Sequence, residues 1–156
     1  MSKDNLVGKE CIIRVDRSVR SSYPDWVKTV MYPELETTGP TEYDINKVEQ
    51  WLHDEQRNGK WIEGYEIYAF LKETDALKTC LGLRDLEEIQ KKDITSFRKY
   101  LQGNNVIFGW KSVAMDNDGR LVVPFLHERS GKAVVDWNWL GVEWGGHDPA
   151  FRFINE

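Results

Sequence analysis

The stretch NVIFGWKSVAM (105–115), DNDG (116–119), RLVVPFLHE (120–128), RSGK (129–132), AVVDWNWL (133–140) decides the fold. Its apolar and β-branched runs are punctuated by Asp118-Gly119 and Ser130-Gly131, pairs that accept the positive φ of tight hairpin turns. Three antiparallel strands in a meander are predicted. Pro124 complicates the middle one, because a central strand needs an amide at every ladder position and proline has none. Either the strand bulges there or one of its sides is open. DNDG does not make a calcium loop, since placing Gly119 at the sixth position puts Ala114 at the first, where a carboxylate is required.

Alternation in the last strand places Val135, Trp137 and Trp139 on one face and Val134, Asp136, Asn138 and Leu140 on the other. The expectation is that the tryptophan face covers the core and the polar pair meets solvent. The competing reading is an exposed aromatic platform for a sugar, a base or a partner's side chain. Gly141 and Gly145-Gly146 interrupt the strand, so Trp144 takes neither face. Beyond them, Phe151 and Phe153 alternate with Arg152 and Ile154 as a short final strand would. Arg152 is expected either to bind an anion beside Asp136 and Asn138 or, the simpler reading, to pair with an acid.

Upstream, the pattern is helical. Asp44 or Thr41 is placed to cap a helix with Ile45, Val48, Trp51 and Leu52 inward and Gly59 as its stop. Residues 64–73, GYEIYAFLKE, suit a helix or a strand equally well. Short helices follow over Leu83–Ile89 and, capped by Asp93, over DITSFRKYLQG, with Ile94, Phe97 and Leu101 inward. Residues 44–103 therefore read as a helical part and 104–156 as an antiparallel sheet.

Residues 1–43 read as an extended wrap. Its three prolines and its aromatics Tyr23, Trp26 and Tyr32 make it too apolar to be left in water, with a short helix allowed in DWVKTVM. Arg14, Arg17 and Arg20 recur at every third residue. On a helix they would converge on a phosphate or carboxylate, but CIIRV looks extended, and on extended chain they alternate faces and do not.

Composition narrows the function classes. The chain has 156 residues, a formal net charge of −5, 40% hydrophobic and 30% charged residues, and seven tryptophans. This is the make-up of a globular domain with its own core. The acidic balance disfavours nucleic acid, and LGLRDLEEIQKKDITSFRKYL, though shaped like a helix-turn-helix, lacks exposed residues suited to base edges. No apolar run approaches a membrane span, and the first residues do not resemble a signal peptide, so a cytoplasmic location is the expectation. Cys11 and Cys80 form no CxxC and are read as reduced. The scattered His53, His127 and His147 give no metal signature. No catalytic motif is present, and a site assembled from Lys111, Ser112, His127, Asp136 and Glu143 would need the fold to gather them.

These readings give an α+β protein, with a cluster of short helices packed on a C-terminal antiparallel meander of three to five strands. It is expected to need no metal and no cofactor. The expected function is a non-enzymatic protein-binding domain of adaptor, inhibitor or immunity type. The alternative is a small-molecule or carbohydrate binder, or an enzyme with a site built on the sheet. The candidate binding residues are Arg17, Arg20, Tyr23, Trp26, Asp136, Asn138, Trp144 and Arg152.

Overall fold

Pro124 lies on the central strand of an α+β fold whose computed structural model describes residues 10–154. The eleven strands in these residues are β1 (Ile12–Arg14), β2 (Val27–Val30), β3 (Glu42–Asp44), β4 (Glu49–Trp51), β5 (Ile62–Glu63), β6 (Ile107–Phe108), β7 (Ala114–Asp116), β8 (Leu121–Arg129), β9 (Lys132–Trp139), β10 (Glu143–Trp144) and β11 (Ala150–Arg152). Among the described residues, two α-helices, α1 (Gly64–Glu73) and α2 (Leu83–Gln90), and several single 3-10 turns accompany the strands. The main sheet runs β2-β7-β8-β6-β11-β4, with β9 on the other side of β8.

The meander of β7, β8 and β9 is formed as the turn residues require. Ser130 and Gly131, at φ of 54° and 81°, close the β8–β9 hairpin between Arg129 and Lys132, and Gly119 at 81° turns β7 into β8. The expected first strand, however, is divided. β6 pairs with β8 at Phe125 and Leu126, β7 pairs with it at Leu121 and Val122, and Trp110–Ser112 leave the ladder between them as a 3-10 turn. Pro124 sits opposite that gap, so its missing N–H falls where the sheet is open, while its carbonyl accepts from Gly109 N–H at 2.9 Å.

The sheet is wider than a meander. It recruits β2 from the wrap and β4 and β11 from segments about a hundred residues apart, and it contains one parallel pair, β6 with β11. The helix expected from Ile45 is not formed. Asp44 does cap, accepting from Asn46 N–H at 3.0 Å, but only a single turn, after which Glu49–Trp51 run extended and pair with Arg152–Ala150. Ile45, Val48 and Trp51 span too few turns for the spacing to separate a helix from a turn followed by a strand. Ladder bonds to β11 then decide it. His53 and Gln56 form the next capping box, and Gly59 at φ 78° ends that turn. DITSFRKYLQG likewise breaks into consecutive 3-10 turns, although Asp93 caps the first and Phe97 and Leu101 are buried as expected. DWVKTVM holds β2 and no helix.

The two faces of the sheet carry separate cores. On one, α1 packs Ile67, Tyr68 and Leu71 against Phe108, Val123, Trp110 and Trp144. GYEIYAFLKE resolves as a helix because its first amides have partners: Gly64 and Tyr65 N–H donate to the carbonyls of Val142 and Leu140. On the other face, α2 packs Leu86 and Ile89 against Ile107, Leu126 and Phe151, with Ile13 and Ile45 beside them.

Three of the hydroxyl groups that fasten the wrap converge on Glu36. Its carboxylate accepts from Ser21 Oγ at 2.6 Å, Tyr23 Oη at 3.0 Å and Ser112 Oγ at 2.8 Å, joining the loop after β1 to the turn before β7. Burial, with the Glu36 charge second, raises the Tyr23 phenol well above its usual pKa and keeps it a donor. Glu36→Ala is expected to lose about 1.5–3 kcal/mol, the scale of hydrogen bonds to a charged group, and to speed limited proteolysis between Ser18 and Thr41. Cleavage at the parental rate would show that the apolar contacts alone hold the wrap.

Candidate functional site

Strand β9 carries the site because of its position. It is an outer strand, and its alternation is as the sequence requires: Ala133, Val135, Trp137 and Trp139 share a face with Leu126, Pro124 and Val122 of β8. Val135 reaches the core under α2. Trp137 is covered by the wrap: Trp26 meets it edge-on with ring centres 5.4 Å apart, and Tyr23 lies at 5.9 Å. The expectation that both tryptophans cover the core therefore fails, since Trp137 is only half-buried under loop residues and Trp139 is 42% exposed. The Trp139 ring folds back over Gly141, where a Cβ would come within 2.5 Å of it, and its Nε1 donates to Tyr65 Oη at 3.3 Å. Trp26 (37%), Tyr65 (38%), Trp139 and Val142 thus form an open apolar strip running from the wrap to the start of α1. An acidic turn, Asp116 to Asp118, and Asp136 border the Trp26–Trp139 end of it.

Asp136 and Asn138 lie on the opposite face. Asp136 is half-exposed and pairs with Arg129 at 3.0 Å and His127 at 3.3 Å. The Asn138 side chain has no hydrogen-bond partner among the described residues. Arg152 does not reach them. It pairs with Glu49 at 3.3 Å and its guanidinium lies over the Trp51 ring, the simple pairing with an acid.

The three arginines do not converge. Arg14 pairs with Glu42 at the surface and Arg20 is exposed with no acid partner among the described residues. Arg17 is buried and grips Asp85 with two nitrogens, at 3.0 and 3.3 Å. Asp85 is fully buried and also accepts from Tyr43 Oη at 2.7 Å and Gly82 N–H at 2.9 Å, so the carboxylate that starts α2 also holds the wrap. Lys111, 2% exposed, donates to the Thr38 carbonyl, and burial lowers its pKa against the opposing pull of Asp85. A side chain at Gly39, where φ is 109°, would come within 2.9 Å of Arg17 and 3.1 Å of Lys111. Sequence reasoning missed this polar cluster. Its members are separated by tens of residues, and although Asp85 stands three residues after Gly82 as an acid that starts a helix would, nothing local ties it to Arg17, Tyr43 or Lys111.

Trp144 is 1% exposed and packs against Trp110 and Phe108 in the core under α1, away from any surface contact. The five residues considered for catalysis are divided among three places. Lys111 and Ser112 are buried below the wrap, His127 and Asp136 pair on β8 and β9, and Glu143 lies on β10 opposite Glu63. Cys11 and Cys80 are free and buried, and burial pushes the Cys80 thiol up to about 12. Among the described residues no cluster of His, Cys, Asp and Glu has a metal-binding arrangement, and no helix is long and apolar enough to cross a membrane.

These features define an α+β protein with an exposed aromatic strip that runs past the end of an outer strand. Comparison with family models, curated proteins and solved structures gives no match for the chain.

Proposed function

We propose that the chain is a non-enzymatic protein-binding domain, of adaptor, inhibitor or immunity type, whose contact surface is the strip of Trp26, Trp139, Tyr65 and Val142. The observation that supports this reading is the exposure of these side chains in one run. Large aromatic groups left in water beside the end of an outer strand resemble the anchors of protein interfaces, where tryptophan and tyrosine supply much of the binding energy. The turn at Asp118, with Arg120 paired to it, supplies a polar rim.

The test is capture from native lysate by the tagged protein, with Trp139→Ala and Trp26→Ala as comparators. Both variants should stay folded, and the protein captured by the parent should be retained at least tenfold less, as expected for loss of an interface anchor worth about 2 kcal/mol. Equal capture by parent and variants would refute the assignment of the strip. A small-molecule binder has one observation in its favour, a cavity of about 300 Å³ beside the wrap lined by Arg17, Ser18, Arg20, Ser21, Tyr23 and Glu36. That volume is at the lower end for ligand sites. A melting temperature raised by small carboxylates or sugars, with no protein captured, would favour it.

A further inference from the structure

Strand β9 has a second property that its aromatic face does not use. Among the described residues it pairs only with β8, through eight consecutive residue pairs with no shift in register, and it contains no proline and no bulge. Natural edge strands are usually blunted by such devices, and an unblunted edge is a template for another strand. The free groups can be identified. The two-residue turn makes Arg129 and Lys132 a hydrogen-bonded pair, and Leu140 N–H donates to the Leu121 carbonyl, so the even-numbered residues of β9 face β8. Ala133, Val135, Trp137 and Trp139 therefore direct their N–H and C=O groups outward. Gln90 Nε2 donates to the Ala133 carbonyl and Val142 N–H to that of Trp139. The N–H and C=O of Val135 and Trp137 and the N–H of Trp139 have no partner among the described residues.

We infer that a second copy of this chain pairs antiparallel with β9 across a two-fold axis through Trp137, extending the sheet across both copies. Such an axis preserves the faces of the sheet, so even-numbered side chains meet even and odd meet odd. Centred on Trp137, the two Trp137 residues exchange N–H and C=O, and each Trp139 N–H reaches the second copy's Val135 carbonyl. Val135 then lies opposite the second copy's Trp139, an aromatic pair with a β-branched residue. On the other face Asp136 lies opposite the second copy's Asn138, whose amide is otherwise unused. Shifting the axis to Asp136 opposes two like charges, and shifting it to Val135 places Asp136 against the second copy's Val134. Complementarity selects the Trp137 register. The pairing joins two aromatic strips into one surface but does not depend on their having a partner.

The test is sedimentation equilibrium of the full chain over a range of concentrations, for the parent and for Asn138→Asp and Asn138→Lys. The Asn138 side chain is half-exposed and has no partner among the described residues of one copy, so both variants should fold. The parent should show a reversible monomer–dimer equilibrium. Asn138→Asp opposes carboxylates at two symmetric positions and should weaken the dimer roughly tenfold. Asn138→Lys opposes Asp136 with a cation and should tighten it by a similar factor. Val135→Pro, which removes an outward N–H not used within one copy, should leave a folded monomer. A parent that stays monomeric at every concentration, or a dimer unmoved by both Asn138 substitutions, would overturn the inference. A monomeric parent that still captures a protein through Trp139 would overturn the pairing alone, and a dimer that captures nothing would leave the pairing standing while removing the proposed function.

Discussion

Asp85→Ala is expected to destabilise the protein by about 3–5 kcal/mol, the cost of removing one partner from a buried ion pair. For a chain of this length that corresponds to a fall in melting temperature of roughly 6–20 °C. The size follows from what is left behind. Asp85 is the common acceptor for Arg17, Tyr43 and the Gly82 amide, and the Lys111 charge is buried beside the same cluster. Its loss strands a buried guanidinium and an unpaired phenol and uncaps α2 at the same time. Asp85→Asn keeps an acceptor oxygen and should cost less, because part of the bonding survives while the charge does not. Thermal unfolding of the two variants checks this, and an alanine variant within 1 °C of the parent would show that the cluster carries no net stability.

Asp85 also shows where the sequence stops being informative. Local chemistry was legible: the turn at Ser130-Gly131, the alternation of β9, the caps at Asp44 and Asp93, and the burial of Phe97 and Leu101 all follow from near neighbours. Apart from the Gly82 amide three residues before it, the partners of Asp85 lie 42 and 68 residues away, and no spacing pattern connects them. The pairing of β4 with β11 is of the same kind. It turns Trp51 from an apparent helix position into a strand position and leaves Val48 at the end of the turn before it, because the ladder partner is supplied by the far end of the chain. Of the candidate binding residues, Trp26, Asp136 and Asn138 are found on or beside β9, and Tyr23 and Arg20 at the neighbouring cavity. Arg17 and Trp144 are held inside the structure. Residue type marked these side chains as able to bind, while burial is set by contacts that composition does not report.

The tryptophans divide accordingly, and their alanine variants should divide with them. Trp144→Ala is expected to cost about 3–5 kcal/mol, as large-to-small changes of buried aromatic residues do. Its ring fills the space under α1, where it touches Trp110 and Phe108, and it lies so close to Gly64 that a Cβ on that glycine would come within 2.6 Å of it. Removing the ring leaves a cavity that cannot close without moving the start of α1, which is tied to the carbonyls of Leu140 and Val142. Trp139→Ala should cost only about 1–2 kcal/mol, since much of that side chain is already in water. Trp144→Phe separates packing from polarity. The indole N–H of Trp144 is buried with no hydrogen-bond partner among the described residues, so phenylalanine loses some volume but also removes an unsatisfied donor. Its cost should fall well below that of alanine. Denaturant unfolding of the three variants reads the order directly: alanine at 144 worst, with phenylalanine at 144 and alanine at 139 both mild. A Trp139→Ala variant as damaged as Trp144→Ala would mean that the strip on β9 is structural, and would remove the basis for reading it as a contact surface.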